Sequence, residues 1–170
     1  MSAVHWLPRE GPEAALFRDA MAQLAGGVAV VACLDAGAPR GLLVSSLVSL
    51  SIEPPRMLFC VQKQAASHSA LLRAQRCSLA ILGHDDVEEA HRFSTRARAA
   101  ERFSGDAWRL QPGEPPHYAG ALVNLTGRIG NRMDAGSHSV FVLDVEAIHR
   151  RDGEPLVYFG RGYRTLSAPA

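Results

Sequence analysis

Apolar and polar residues recur along this chain with two different periods, and the switches between them mark out its elements. Leu16, Phe17, Ala20, Met21 and Leu24 return every three or four residues, the spacing of one helix face. Pro12 suits a first helical turn and Gly26-Gly27 a C-terminal stop, so a helix is predicted over 12–24. A valine-rich run over 28–34 reads as a strand. Asp35-Ala36-Gly37-Ala38-Pro39 then reads as a turn, and Arg40 begins a returning strand, which together predict a hairpin.

Residues 41–61, GLLVSSLVSLSIEPPRMLFCV, form the stretch on which the rest depends. Val44, Ser46, Val48, Leu50 and Ile52 share one parity, and Ser45, Leu47, Ser49, Ser51 and Pro55 the other. That alternation predicts extended strand rather than helix. Its serines leave hydroxyls and backbone N–H groups beside an apolar wall, an arrangement suited to a flat ring with a phosphate tail. A plain core strand with tolerated serines is the competing reading.

Beyond it, 62–67 is a polar loop, and Ser67 or Ser69 can cap a short helix through Ala74. Residues 77–82 read as a strand. Asp85-Asp86-Val87-Glu88 has capping-box spacing and opens a helix to about Phe93. Residues 94–111 are arginine-rich and irregular, and 112–116 are a break. A strand over 121–129, a loop over 130–136, the longest strand over 139–149 and a last strand over 155–159 complete the chain. Strands do not alternate strictly with helices, which argues against a doubly wound parallel sheet. The pattern predicts a mainly β fold, an antiparallel barrel with Greek-key connections and a few peripheral helices.

Composition narrows the function classes. With 170 residues, 47% hydrophobic and 21% charged, the chain is one soluble domain. The expected division is a loose arm over 1–11, where Trp6 and Leu7 can dock on a neighbour, a domain over 12–166 and a tail over 167–170. A net charge of +1 gives no electrostatic case for nucleic acid or an anionic membrane. Lys63 is the sole lysine, so arginine carries the other fixed cations. Cys33, Cys60 and Cys77 lie in apolar strand-like runs without C-x-x-C spacing. Buried reduced thiols and a cytoplasmic location are therefore expected. No signal peptide and no bilayer-crossing stretch is indicated.

Several familiar devices are missing. There is no G-x-G-x-x-G after a strand, no phosphate-binding G-x-x-x-x-G-K-[ST] and no G-x-S-x-G elbow. His84, Glu88 and His91 have helical spacing; a solvated face explains them more simply than a metal site, and no metal is expected. Asp85, Asp86 and Glu89 suit a helix first turn. His138, in Gly136-Ser137-His138 at a strand entry, is either a surface histidine or a side chain reaching a cleft. Arg161, Tyr163 and Arg164 form a basic-aromatic tail, which is either a capping strand or a contact for an anionic or flat ligand.

From about Phe17 to Leu166 the sequence resembles the flavin reductase-like split-barrel proteins, the reductase components of two-component flavin-dependent monooxygenases. Phe17-Arg18-Asp19-Ala20-Met21 and Gly27-Val28-Ala29-Val30-Val31 look like that family's opening helix and strand. Residues 41–55 are similar to its signature, often G-x-T-x-N-S-F-x-S-V-S-x-D-P-P. Arg92-Phe93, Arg102-Phe103-Ser104-Gly105, Gly136-Ser137-His138 and the closing run 155–164 follow in the expected order.

The resemblance implies a homodimeric split β-barrel that takes FMN or FAD, with NADH or NADPH as hydride donor, and serves a separate monooxygenase. A non-catalytic flavin- or haem-binding relative is the alternative. By this resemblance Leu43, Val44, Ser45 and Ser46 wrap the flavin ring and ribityl edge, with Ser49, Leu50 and Ser51 beside them. Gln62, Lys63, Ser67 and His68 lie near the phosphate. Phe103 and Tyr163 are further cofactor contacts, and His138 is the catalytic residue at the nicotinamide. Leu43, Ser45, Ala80 and Ser137 depart from the family pattern, the last replacing the aspartate of Gly-Asp-His.

Overall fold

In the computed structural model, which describes residues 13–166, the valine-rich run becomes β2 (Ala29–Asp35) and turns back as β3 (Ala38–Val44). Ala36 and Gly37 take φ of 49° and 80° in the turn, the left-handed region that tight hairpins require. A helix α1 (Ala14–Met21) and a two-residue strand β1 (Gly26–Gly27) precede them. Then come β4 (Leu47–Ser51), β5 (Arg56–Gln62), α2 (His68–Arg73), β6 (Arg76–Ile81) and α3 (Val87–Ser94). The chain continues through β7 (Trp108–Arg109), β8 (His117–Tyr118), β9 (Val123–Ala135), β10 (His138–Arg150), β11 (Val157–Phe159) and β12 (Gly162–Arg164).

Seven strands form one antiparallel sheet in the order β3-β2-β6-β9-β10-β5-β4. Its two edge strands, β3 and β4, are joined by Ser45 and Ser46 alone. A link that short spans only about 10 Å, so the sheet must roll until its edges meet. The result is a split barrel, as expected.

Two hydrophobic clusters hold it. Val31, Cys33, Phe59, Leu79, Phe141 and Leu143 fill the barrel. Val28, Val30, Ala80, Phe93, Trp108 and Leu156 pack outside it, beneath α3. Strand β2 is thus covered on both faces, which explains its unbroken apolar run.

Several expected boundaries and roles differ. The helix expected over 12–24 is Ala14–Met21, while Pro12 and the arm lie outside the described residues. Its apolar stripe is exposed, and the helix buries none of its residues. Residues 130–135 are strand, not loop, because Asp134 and Met133 pair with Ser139 and Val140. Strand β9 is therefore as long as β10, at 13 residues each. Ser67 occupies the N-cap position of α2, but its hydroxyl donates to the Gly41 carbonyl at 2.8 Å instead of capping. Asp86, not the Asp85–Glu88 pair, closes the turn before α3, its carboxylate accepting from Gly83 N–H at 2.7 Å. Cys33 and Cys77 are buried, whereas Cys60 is only half-buried; all three are free.

Candidate functional site

The Ser45-Ser46 link is where the barrel opens. Ser46 is tied to β5 twice: its carbonyl accepts from Cys60 N–H at 3.0 Å and its hydroxyl donates to the Cys60 carbonyl at 3.1 Å. Ser45 is exposed, and its hydroxyl has no hydrogen-bond partner among the described residues. It stands between two clefts. One, of about 700 Å³, is walled by Val28, Leu43, His91, Ser94 and Tyr163. The other, of about 860 Å³, lies between Arg18, Met21 and Leu24 of the α1 segment and Ser46 of the link, Leu47 of β4 and Leu58 of β5. Ser45, Tyr158 and Arg161 belong to both, so the two clefts form one groove divided by the link. Their volumes lie in the range of small-molecule sites.

The outer wall is the C-terminal hairpin. Strand β11 pairs with β12 and with β1 in a separate three-stranded sheet. Gly160 and Arg161 form its tight turn with φ of 57° and 62°. A left-handed arginine is strained, and two contacts with the α1 segment hold it. Its guanidinium pairs with Asp19, and Gly160 N–H donates to the Ala22 carbonyl at 2.8 Å. On the inner side, a Cβ on Gly26 would approach the Ser45 carbonyl to 3.2 Å. The absence of a side chain there lets β1 lie close to the link.

Helix α3 supplies the far wall, fixed from behind by a buried polar knot. Glu89 accepts from Trp108 Nε1 at 2.7 Å and from Arg92 at 2.9 Å, and Asp86 accepts from Tyr118 Oη at 2.8 Å. These bonds turn His91 and Ser94 toward the groove. The His91 ring meets Tyr163 edge-on at 5.1 Å, and burial pushes the Tyr163 phenol above its ordinary pKa.

The site residues expected from the sequence divide into three groups. Leu43, Ser45, Ser46 and Tyr163 line the groove. Val44 points into the barrel, 5% exposed, so only its backbone faces a ligand. The remaining residues line neither cleft. Ser49, Leu50 and Ser51 run down β4 away from the link, Ser51 donating to the Pro54 carbonyl at 2.5 Å. Lys63 is paired with Asp134 at 2.6 Å. His68 is buried, its Nε2 hydrogen-bonded to Ser139 Oγ at 2.9 Å. Phe103 packs with Phe93 and Trp108 at 5.1 and 4.9 Å.

Gln62 and His138 pair with each other at one end of the sheet. His138 is exposed, and its Nδ1 contacts Ser137 Oγ at 2.9 Å. Val140, two residues further on, pairs with Cys60, the partner of Ser46. Strand geometry then puts His138 about 7 Å along the sheet and about 10 Å across it from the link.

Sequence reasoning missed Arg18, His91, Ser94 and Tyr158 as wall residues. His91 had drawn notice only for its spacing with His84 and Glu88. Among the described residues no group of three or more His, Cys, Asp or Glu could hold a metal.

Residues 21–167 match the family described as the flavin reductase like domain. The chain belongs to that family. One flavin reductase-like relative, named FMN reductase (NADH) RutF 2 of Methylorubrum extorquens, is 39% identical over 94% of each chain. The reductase component of a 4-nitrophenol 4-monooxygenase/4-nitrocatechol 2-monooxygenase from Rhodococcus opacus is 33% identical, covering 84% of this chain and 76% of that one. Among solved flavin reductases, the NADH:FAD oxidoreductase SgcE6 of Streptomyces globisporus, in complex with NAD and FAD fragments, superposes with a TM-score of 0.84 at 26% identity. It covers 93% of this chain and 95% of that one.

Proposed function

We propose that this flavin reductase carries FMN across the Ser45-Ser46 link and receives hydride from NADH. The observation that carries the reading is the open groove on both sides of the link that joins the barrel's two edge strands. Its residues fit the ligand. Leu47, Val48, Leu58 and Met21 offer an apolar bed for a ring, Ser45 an uncommitted hydroxyl, and Arg18 a cation for an anionic tail. The choice of FMN and NADH follows the name of the 39% identical relative.

A bound flavin would supply the acceptor for one hydride, that is two electrons and a proton. The protein's share is binding and alignment. The link fixes the ring edge, α3 and the C-terminal hairpin exclude water from one flank, and the nicotinamide is held at near-attack distance. We assign His138 the nicotinamide contact. Its support is its exposure at the same end of the sheet as the link and an Nε2 without a hydrogen-bond partner among the described residues.

An open groove lets the reduced flavin leave for a separate monooxygenase. A second copy of the chain is the proposed cover for the apolar surface beside it. Phe17 is 55% exposed, Leu24 70% and Ile52 85%, and large apolar side chains left this open favour a covering partner. Three free thiols favour the cytoplasm as the compartment. No helix among the described residues is long and apolar enough to cross a membrane.

Steady-state oxidation of NADH and NADPH, each with FMN and with FAD, tests the reading. NADH oxidation should accelerate most with FMN. No acceleration by either flavin with either donor would overturn it. His138→Ala should slow hydride transfer while leaving FMN affinity near wild type; equal hydride-transfer rates in the two proteins would remove His138 from this role.

A further inference from the structure

The β7–β8 hairpin packs against β6 and β9, and the flank it covers shares no lining residue with the flavin groove among the described residues. Two adjoining hollows lie there, of about 330 and 210 Å³, and both are lined by Arg109, His117 and His149. Arg76 and Thr126 line the larger, Arg150 the smaller. These basic side chains come from four separate stretches, β6, β7, β8 and β10, of a chain whose net charge is only +1.

The neighbouring acids engage only part of this charge, Arg150 meeting Asp152 at 3.5 Å. Both Glu114 oxygens are taken by Arg76 Nη1, at 2.9 and 2.8 Å. Glu146 is shared between Arg76 at 3.3 Å and Arg128 at 2.8 Å. Arg151, which also lines the smaller hollow, donates to the Gly120 carbonyl. Among the described residues Arg109 and His149 have neither an ion pair nor a hydrogen bond. His117 meets Thr126 Oγ1 at 2.7 Å through Nε2, and its ring stands 6.0 Å from that of His149. Arg76 Nε is buried with no partner.

We infer that this hollow binds a phosphoryl group, carried by inorganic phosphate or by a small phosphate ester. A free guanidinium fork matches a tetrahedral oxyanion. Two imidazoles on one side add N–H donors that an anion can recruit near neutral pH. A cation would instead meet Arg109, whose guanidinium no acid among the described residues pairs with. The hollow does not depend on the flavin reading, because the two sites share no wall.

Burial first, then His149, Arg109 and Arg76, hold the His117 pKa below its ordinary value, with Glu114 acting against them. A bound anion would favour the charged ring and move that pKa back up.

The test uses isotope-labelled protein saturated with FMN, so that a site for the flavin phosphate is already filled. Inorganic phosphate is titrated against potassium chloride at equal ionic strength while the ring resonances of His117 and His149 are followed. Both should shift saturably, and the His117 titration midpoint should rise. Arg109→Ala, and separately His149→Ala, should weaken the response by roughly tenfold or more, with FMN-dependent NADH oxidation unchanged. Glycerol phosphate distinguishes the sources: tighter binding than inorganic phosphate identifies an ester ligand, and equal binding identifies the phosphate itself. Shifts no larger than those in chloride, or an Arg109→Ala protein responding like wild type, would overturn the assignment.

Discussion

Around α3 and the β7–β8 hairpin the buried carboxylates are fully engaged, whereas along the Ser45-Ser46 link a hydroxyl and two clefts face solvent. Asp86 and Glu89 are 8% and 5% exposed and accept bonds from Gly83, Tyr118, Trp108 and Arg92. Ser45, on the opposite side of α3 from that knot, gives its hydroxyl to nothing among the described residues. The first region holds a helix still. The second leaves groups available for a ligand. A substitution in the knot should therefore cost stability, and one at the link should cost binding.

The largest effect is expected at Phe93, 1% exposed and in contact with Phe103 and Trp108. Phe93→Ala should destabilise the fold by about 3–5 kcal/mol, read from urea unfolding. A loss below about 1 kcal/mol would show the knot to be looser than its geometry. Asp86→Ala comes next, because it strands the Tyr118 hydroxyl and Gly83 N–H. A cost of about 2–3 kcal/mol is expected. If Asp86→Ala instead lowered FMN affinity at unchanged stability, the separation of roles would fail.

Alkaline pH should erode the buried side gradually. Burial pushes the Cys33 thiol up to about 11 and moves Cys77 and Tyr118 upward as well. Their protonated forms are favoured in the folded state, so the stability they confer is present below the unfolded values. It declines as pH rises from about 8.5 for thiols toward and past those folded-state values. Urea midpoints should fall steadily between about pH 8 and about pH 10.5; a flat profile would contradict the burial assigned to these groups. Ser45→Ala should change stability least, by under about 0.5 kcal/mol, while weakening flavin binding.

Much of this division was legible in the sequence. The valine run, the Asp35–Pro39 turn and the serine-lined stretch fixed β2, β3, β4 and β5 to within a few residues, because period and turn chemistry are local. That Ser45 and Ser46 join the two edges of the sheet was not legible, since only the sheet order reveals it. His91 and Ser94 were missed for a similar reason: they face the groove because Asp86 and Glu89 bond to the distant Tyr118 and Trp108. Lys63, Ser67, His68 and Phe103 were assigned to the cofactor on family likeness. In this chain Asp134, Gly41, Ser139 and Phe93 engage them.

The exposed apolar residues of β4 and its end, Val48 and Ile52, sharpen the comparison from the other side. Ile52→Glu together with Val48→Glu should leave the knot intact and shift sedimentation toward the monomer. An unchanged sedimentation coefficient would mean that β4 does not meet a second copy.

FMN fluorescence titration of wild type against Ser45→Trp tests the central claim most directly. An indole at position 45 fills the groove at the point its two clefts share. The account predicts a variant that melts like wild type but binds FMN weaker by roughly tenfold or more. A Ser45→Trp protein that binds FMN as tightly as wild type would place the flavin elsewhere.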